Sequence, residues 1–130
     1  MSANAYIEPT DQQVADLVAE SAAKPGPVTM INLLKFKADG GRESYLRYAE
    51  EVQPHLERVG GSLGYAGDAS GIVIGGDDSA WWDSILVVHY PSRAAFLDMV
   101  LDPAYIKIAV YRTKALADSR LIATDPWVAA

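Results

Sequence analysis

The chain has 130 residues, half of them hydrophobic and 22% charged, which is the composition of one globular domain with a single core and not of a disordered segment. A formal charge of −6 disfavours a nucleic-acid or anionic-membrane surface, and the absence of cysteine excludes disulfides, thiolate metal sites and a cysteine nucleophile. No run approaches the roughly 18 apolar residues of a membrane span. Met1 to Ile7 carries neither a basic region nor an apolar stretch of signal-peptide length, so the expected location is the cytoplasm.

Thr10 followed by Gln13 has the spacing of a capping box. Val14, Leu17, Val18 and Ala22 then recur at helical spacing, predicting an amphipathic helix over 11–23 that Lys24-Pro25-Gly26-Pro27 ends. This N-terminal helical extension, residues 1–27, is expected to pack on a main domain of residues 28–130. The run Val28 to Lys37, nearly all apolar with Asn32 in its middle, reads as a strand buried on both faces. After the turn Asp39-Gly40-Gly41, the residues Tyr45, Ala49, Val52, Leu56 and Val59 fall on one face of a helix over 42–59. Pro54 should bend or break that helix, and Gly60-Gly61 should cap it.

Glycine-rich residues 62–69 read as a strand and 71–75 as a turn or short strand, with close backbone approach or a bulge where Gly61, Gly64 and Gly67 recur. Trp81-Trp82, after Gly75-Gly76-Asp77-Asp78, belongs to an exposed loop whose aromatics anchor it or cover a neighbour. Residues 84–90 form a clear strand, stopped by Pro91. Ser92 caps a helix over 93–101, Asp102-Pro103 starts another that runs to about Ala117, and Arg120 to Thr124 is a last short strand. The order is a helix followed by β-α-β-β-α-β, an α+β fold of the ferredoxin-like, split βαβ kind with an antiparallel four-stranded sheet. Ile31, Leu33, Ile85 and Val87 share one parity, and Met30, Leu34, Leu86 and Val88 the other, so both sheet faces are apolar. Helices hide only one face, and a second copy packing sheet to sheet is the simplest cover for the other.

Several segments resemble the domain-of-unknown-function 1330 family. They are Met30 to Phe36, the helix bearing Tyr45, Tyr48 and Ala49, Tyr65-Ala66-Gly67, Trp82-Asp83, Tyr90-Pro91-Ser92-Arg93, Asp102-Pro103-Ala104-Tyr105, Arg112-Thr113 and Ala117 to Thr124. They come in the family's order over roughly residues 28–126. The resemblance implies a dimeric α/β barrel, in which two sheets share one barrel, and leaves the reaction open. Distant relatives in that superfamily include cofactor-free oxygenases, lactone isomerases, haem enzymes and stress-related proteins.

Few side chains offer chemistry. His89, near the end of a strand, reads as a general base or haem ligand, or as a core or interface histidine. His55, beside Pro54 on a helix, reads as solvent-facing. Two histidines so far apart make no metal constellation, so neither metal nor other cofactor is expected. Asn32 in an apolar strand is either a ligand-facing amide or a hydrogen bond that fixes register; left unpaired it costs roughly 1–3 kcal/mol. Arg112 and Arg120 have the planar fork that clamps a carboxylate or enolate, and equally the placement of junction ion pairs, with Asp118 as the nearest partner. Tyr45, Tyr48, Tyr65, Tyr90, Tyr105 and Tyr111 line an aromatic pocket, or fill core and interface as half-polar bulk. No G-x-S-x-G elbow, dinucleotide-binding loop or P-loop is present.

Three function classes follow. The first is a homodimeric small-molecule-binding protein or cofactor-independent enzyme with a sheet–helix cleft. There His89 takes a proton from an apolar or aromatic substrate, Arg112 holds the enolate, Asn32 orients it and Tyr65 donates a hydrogen bond, with Tyr45 and Arg120 completing the binding set. The second is a binding or regulatory module without chemistry. The third is a haem protein with His89 as its strand-borne ligand.

Overall fold

In the computed structural model, which describes residues 6–128, the run after Pro27 is a nine-residue strand, β1 (Val28–Phe36). Side chains alternate across a strand, and here Val28, Met30, Asn32 and Leu34 are buried while Thr29, Ile31, Leu33 and Lys35 are half-exposed. β1 pairs antiparallel with β3 (Ser84–Tyr90) on one side and β4 (Leu116–Thr124) on the other; β2 (Ser62–Asp68) lies beyond β3, so the order is β2-β3-β1-β4. Three helices, α2 (Gly41–Arg58), α3 (Arg93–Val100) and α4 (Pro103–Ala115), cover the face carrying the even-numbered residues of β1. The core there joins Val28, Met30 and Leu34 to Tyr45, Tyr48 and Leu56 of α2, Met99 of α3 and Tyr105 of α4. The ferredoxin-like α+β expectation describes this architecture.

The opposite, outer face is open. The registers place Ile31, Leu33, Ile85, Val87 and Ile122 side by side on it, with Thr29 and His89 at one end and Lys35 at the other. α1 (Asp11–Ala23) stands apart from the sheet and contacts α3. Its predicted capping box is present: Gln13 N–H donates to Thr10 Oγ1 at 3.1 Å, and Thr10 N–H to Gln13 Oε1 at 2.8 Å. No residue of α1 is fully buried, and Val18 is 50% exposed.

Two local expectations change, at Pro54 and at the start of β4. α2 runs unbroken through Pro54, since one proline removes one ladder bond and the packed face retains the rest. The cap beyond it forms as expected: Gly60 adopts φ 79°, with Gly61 N–H donating to Leu56 O at 2.9 Å and Gly60 N–H to Glu57 O at 3.0 Å. β4 begins at Leu116, not Arg120, because buried Leu116 takes extended angles and pairs with Phe36 directly after the helix; a bulge then skips Ala117. Residues 71–75 form no strand, and the chain bends at Val73 and Ile74. No helix among the described residues is long and apolar enough to cross a membrane.

Candidate functional site

The sheet divides the six candidate side chains three and three. His89, Tyr65 and Arg120 belong to the outer face; Asn32 belongs to the helix-covered face, where Tyr45 and Arg112 reach from α2 and α4.

On the outer face His89 is exposed, opposite Thr29, whose Oγ1 lies 2.9 Å from the ring Nδ1. Its imidazole rests on Gly64, where a Cβ would collide with it, and the register of β2 shifts at that same residue. Tyr65 is 59% exposed and folds back over Gly67 in the same way. These glycines mark both a bulge and a close approach, here of aromatic side chains to bare backbone. Arg120 is occupied: it donates to Asp118 Oδ1 at 2.7 Å and stacks between Tyr6 and Trp82, 4.6 and 5.1 Å from the ring centroids. This is the junction ion pair, and Trp82 together with Trp81, which lies 4.8 Å from the Lys35 ammonium, anchors its own loop.

Four tyrosines gather on the helix side. Tyr48 and Tyr105 share a hydrogen bond of 2.8 Å between their hydroxyls, Tyr45 lies 5.4 Å from Tyr48 between ring centroids, and Tyr90 packs edge-on to Phe96. Burial pushes the Tyr45 phenol up to about 12 against the opposing Arg112 guanidinium, and burial likewise raises Tyr48 and Tyr90. All three are neutral hydrogen-bonding groups at pH 7. Arg112 itself donates to Ile7 O at 2.8 Å. Tyr111 stands apart, under the guanidinium of Arg47. His55 is half-buried and edge-on to Tyr105 at 6.1 Å, which corrects its solvent-facing assignment. Asn32 is 8% exposed; its amide forms no side-chain hydrogen bond among the described residues, yet its polar atoms are not sealed from solvent.

The proposed base, amide and clamp are therefore not assembled in one protomer. His89 is turned away from Asn32 by the alternation of residues along paired strands, which a one-residue difference in parity dictates. The haem reading loses its strand-borne ligand on the helix side for the same reason. Among the described residues no three His, Asp or Glu side chains group as metal ligands.

One polar cluster escaped the sequence reading because its partners are distant in the chain: Arg93, 4% exposed, forks onto Asp125 at 3.0 and 3.3 Å, and Lys24 reaches the same carboxylate at 3.3 Å. At Asp118 the pairing with Arg120 is expected, and the bond from the distant Tyr6 amide is not. Burial alone would raise the Asp118 carboxyl, but bonds from the Tyr6 amide, Arg120 and the Ser119 amide outweigh that and hold it below the usual carboxylate value. A carboxyl depressed in the folded state stabilises the fold above its unfolded pKa, near 4, and that stabilisation drains as pH falls through the lower folded value. In urea titrations the stability gap between wild type and Asp118→Asn is expected to narrow as pH falls below about 4; a gap independent of pH would show that the charge contributes nothing.

No family model and no curated protein matches the chain. Among solved structures, the RPA0582 protein of unknown function from Rhodopseudomonas palustris is 32% identical, with 97% of this chain and all of that one covered at a TM-score of 0.86. A dimeric ferredoxin-like protein of unknown function from Bacteroides fragilis is 10% identical at a TM-score of 0.54, covering 77% of this chain and 96% of that one. The hydroxynitrile lyase of Passiflora edulis is 13% identical at a TM-score of 0.60, covering 77% and 93%. The last two likenesses establish the ferredoxin-like fold.

Proposed function

Given that the chain belongs to the same family as the RPA0582 protein of Rhodopseudomonas palustris, we propose that it is a homodimer, paired through its outer sheet face, that binds a small apolar or aromatic molecule between sheet and helices without a cofactor. The quoted motifs support placing that family in domain-of-unknown-function 1330. The open apolar face supports the pairing, and the Bacteroides fragilis neighbour of the same fold is described as dimeric.

Asn32 carries the ligand reading. A polar amide in an apolar central strand gives up part of its hydration with no side-chain hydrogen bond from the described residues in return, a loss that a ligand's hydrogen bond would offset. Here the unpartnered amide faces the helix layer from a central strand, on the side where neutral tyrosine hydroxyls and Arg112 collect. An apolar or aromatic body with one acceptor or carbonyl suits that lining: rings pack on rings, and the amide fixes orientation. Among the described residues Asn32 stands between Leu86 and Leu121 with His89 on the other face, which favours binding or regulation over proton abstraction by His89.

The test is Asn32→Leu. If the amide serves a ligand, the unliganded variant is at least as stable as wild type, because a polar group with no side-chain hydrogen bond is replaced by an apolar one of similar volume. The thermal shift that an aromatic acid such as 4-hydroxybenzoate or salicylate produces in wild type should then vanish. A variant that melts several degrees lower would make Asn32 a structural amide and end the proposal.

A further inference from the structure

The segment between β2 and the short 3-10 turn Asp77–Trp81 presents consecutive branched aliphatic side chains to solvent: Ile72 is 45% exposed, and Val73 and Ile74 are each 95% exposed. Its ends are fixed. On one side Ala69 N–H donates to Asp83 O at 2.9 Å, and Asp68 accepts from Ser84 at 2.7 Å and from Arg42 at 3.1 Å. On the other side Trp81 lies under Lys35 and Trp82 beside Arg120, and both cations are outer-face residues of β1 and β4. An apolar tip is thus carried on well-tethered ends at the rim of the open sheet face.

We infer that this loop is an arm with which one protomer grips a second copy of the chain, extending the outer-face interface. The inference rests on the homodimer proposed above. An open face four strands wide at about 4.8 Å spacing and about seven residues long covers on the order of 450 Å². A stable interface buries roughly 800 Å² on each partner, so the flat face needs further apolar surface, and the loop supplies it at the same rim. Tips made of branched aliphatics, with no polar work of their own, mark protein contact surfaces when a larger apolar patch adjoins them. Asp77 and Asp78 follow the tip and no Lys or Arg lies within residues 69–80, which opposes docking on an anionic membrane.

The double variant Val73→Asp/Ile74→Asp separates the possibilities, because residues this exposed contribute little to the protomer's own packing and the variant should keep its circular dichroism and melting profile as a monomer. Sedimentation velocity over a concentration series is expected to show a dimer for wild type, with a dissociation constant at least tenfold higher for the variant. A wild-type dimer whose affinity the variant leaves unchanged would overturn the arm while leaving the sheet-to-sheet pairing in place. A monomeric wild type would remove the pairing and the arm together. Co-flotation of wild type, but not the variant, with phosphatidylglycerol vesicles would reassign the tip to a membrane and also overturn the inference.

Discussion

Replacing Asp125 with alanine is expected to destabilise the fold and lower its melting temperature. Arg93 cannot shed its charge, and its side chain is 5% exposed, so removing its carboxylate partner leaves a guanidinium sealed in the protein without a counter-charge among the described residues. Breaking a buried pair is strongly destabilising; here Asp125 is 43% exposed and water already screens part of the attraction, which reduces the loss. Arg93→Met should cost less, about 1 kcal/mol, since it removes the buried charge together with its partner's role and keeps most of the packing volume. The bonds from Arg93, joined by Lys24, hold the Asp125 carboxyl below its ordinary range, so the clamp is complete at neutral pH. It ties the end of α1 and the exit of β4 to the first turn of α3. Urea unfolding at pH 7 checks the order; an Asp125→Ala variant within 0.5 kcal/mol of wild type would show the pair to be dispensable.

Val87→Arg is expected to abolish self-association while leaving a folded monomer. Val87 sits on the outer face between Ile31 on β1 and Tyr65 on β2, near the middle of the open apolar patch. A two-fold pairing would force an unpaired guanidinium from each protomer into a dry interface, a cost of several kcal/mol. About 4 kcal/mol corresponds to a thousandfold rise in the dissociation constant. In the isolated protomer the same side chain meets solvent, so far-ultraviolet circular dichroism should not change. Light scattering coupled to size exclusion reads the outcome, and a variant that still runs as a tight dimer would exclude the outer face from the interface.

Local order was legible in the residues themselves. Thr10 with Gln13, Ser92, Asp102-Pro103 and Gly60-Gly61 begin or end helices because caps and breakers act within one turn of chain. Strand order followed from the split βαβ succession. The errors were also local in kind. β4 starts four residues early because pairing with Phe36 outweighs the helical tendency of Leu116 to Ser119, and Pro54 is absorbed because α2 is held by its packed face.

The candidate site was much less legible. Parity alone put Asn32 and Ile31 on opposite faces, and it likewise put His89 with Ile31; the sequence determined that His89 and Asn32 cannot share a face once β1 and β3 are in register. What it left open was that register and which face the helices would take, since apolar residues occupy both parities and either side of the sheet offers comparable burial. Only the tertiary structure decided this, because helix placement depends on where α2, α3 and α4 can pack against one another as well as on the sheet. The same is true of Arg93 with Asp125 and of Arg120 between Tyr6 and Trp82, whose members lie far apart in the chain. The sequence alone thus determined a ferredoxin-like domain with two apolar sheet faces and its inventory of polar side chains. The packing of helices on one of two equally apolar faces decided which of those side chains meet, and left Asn32 with the tyrosines and His89 on the far side of the sheet.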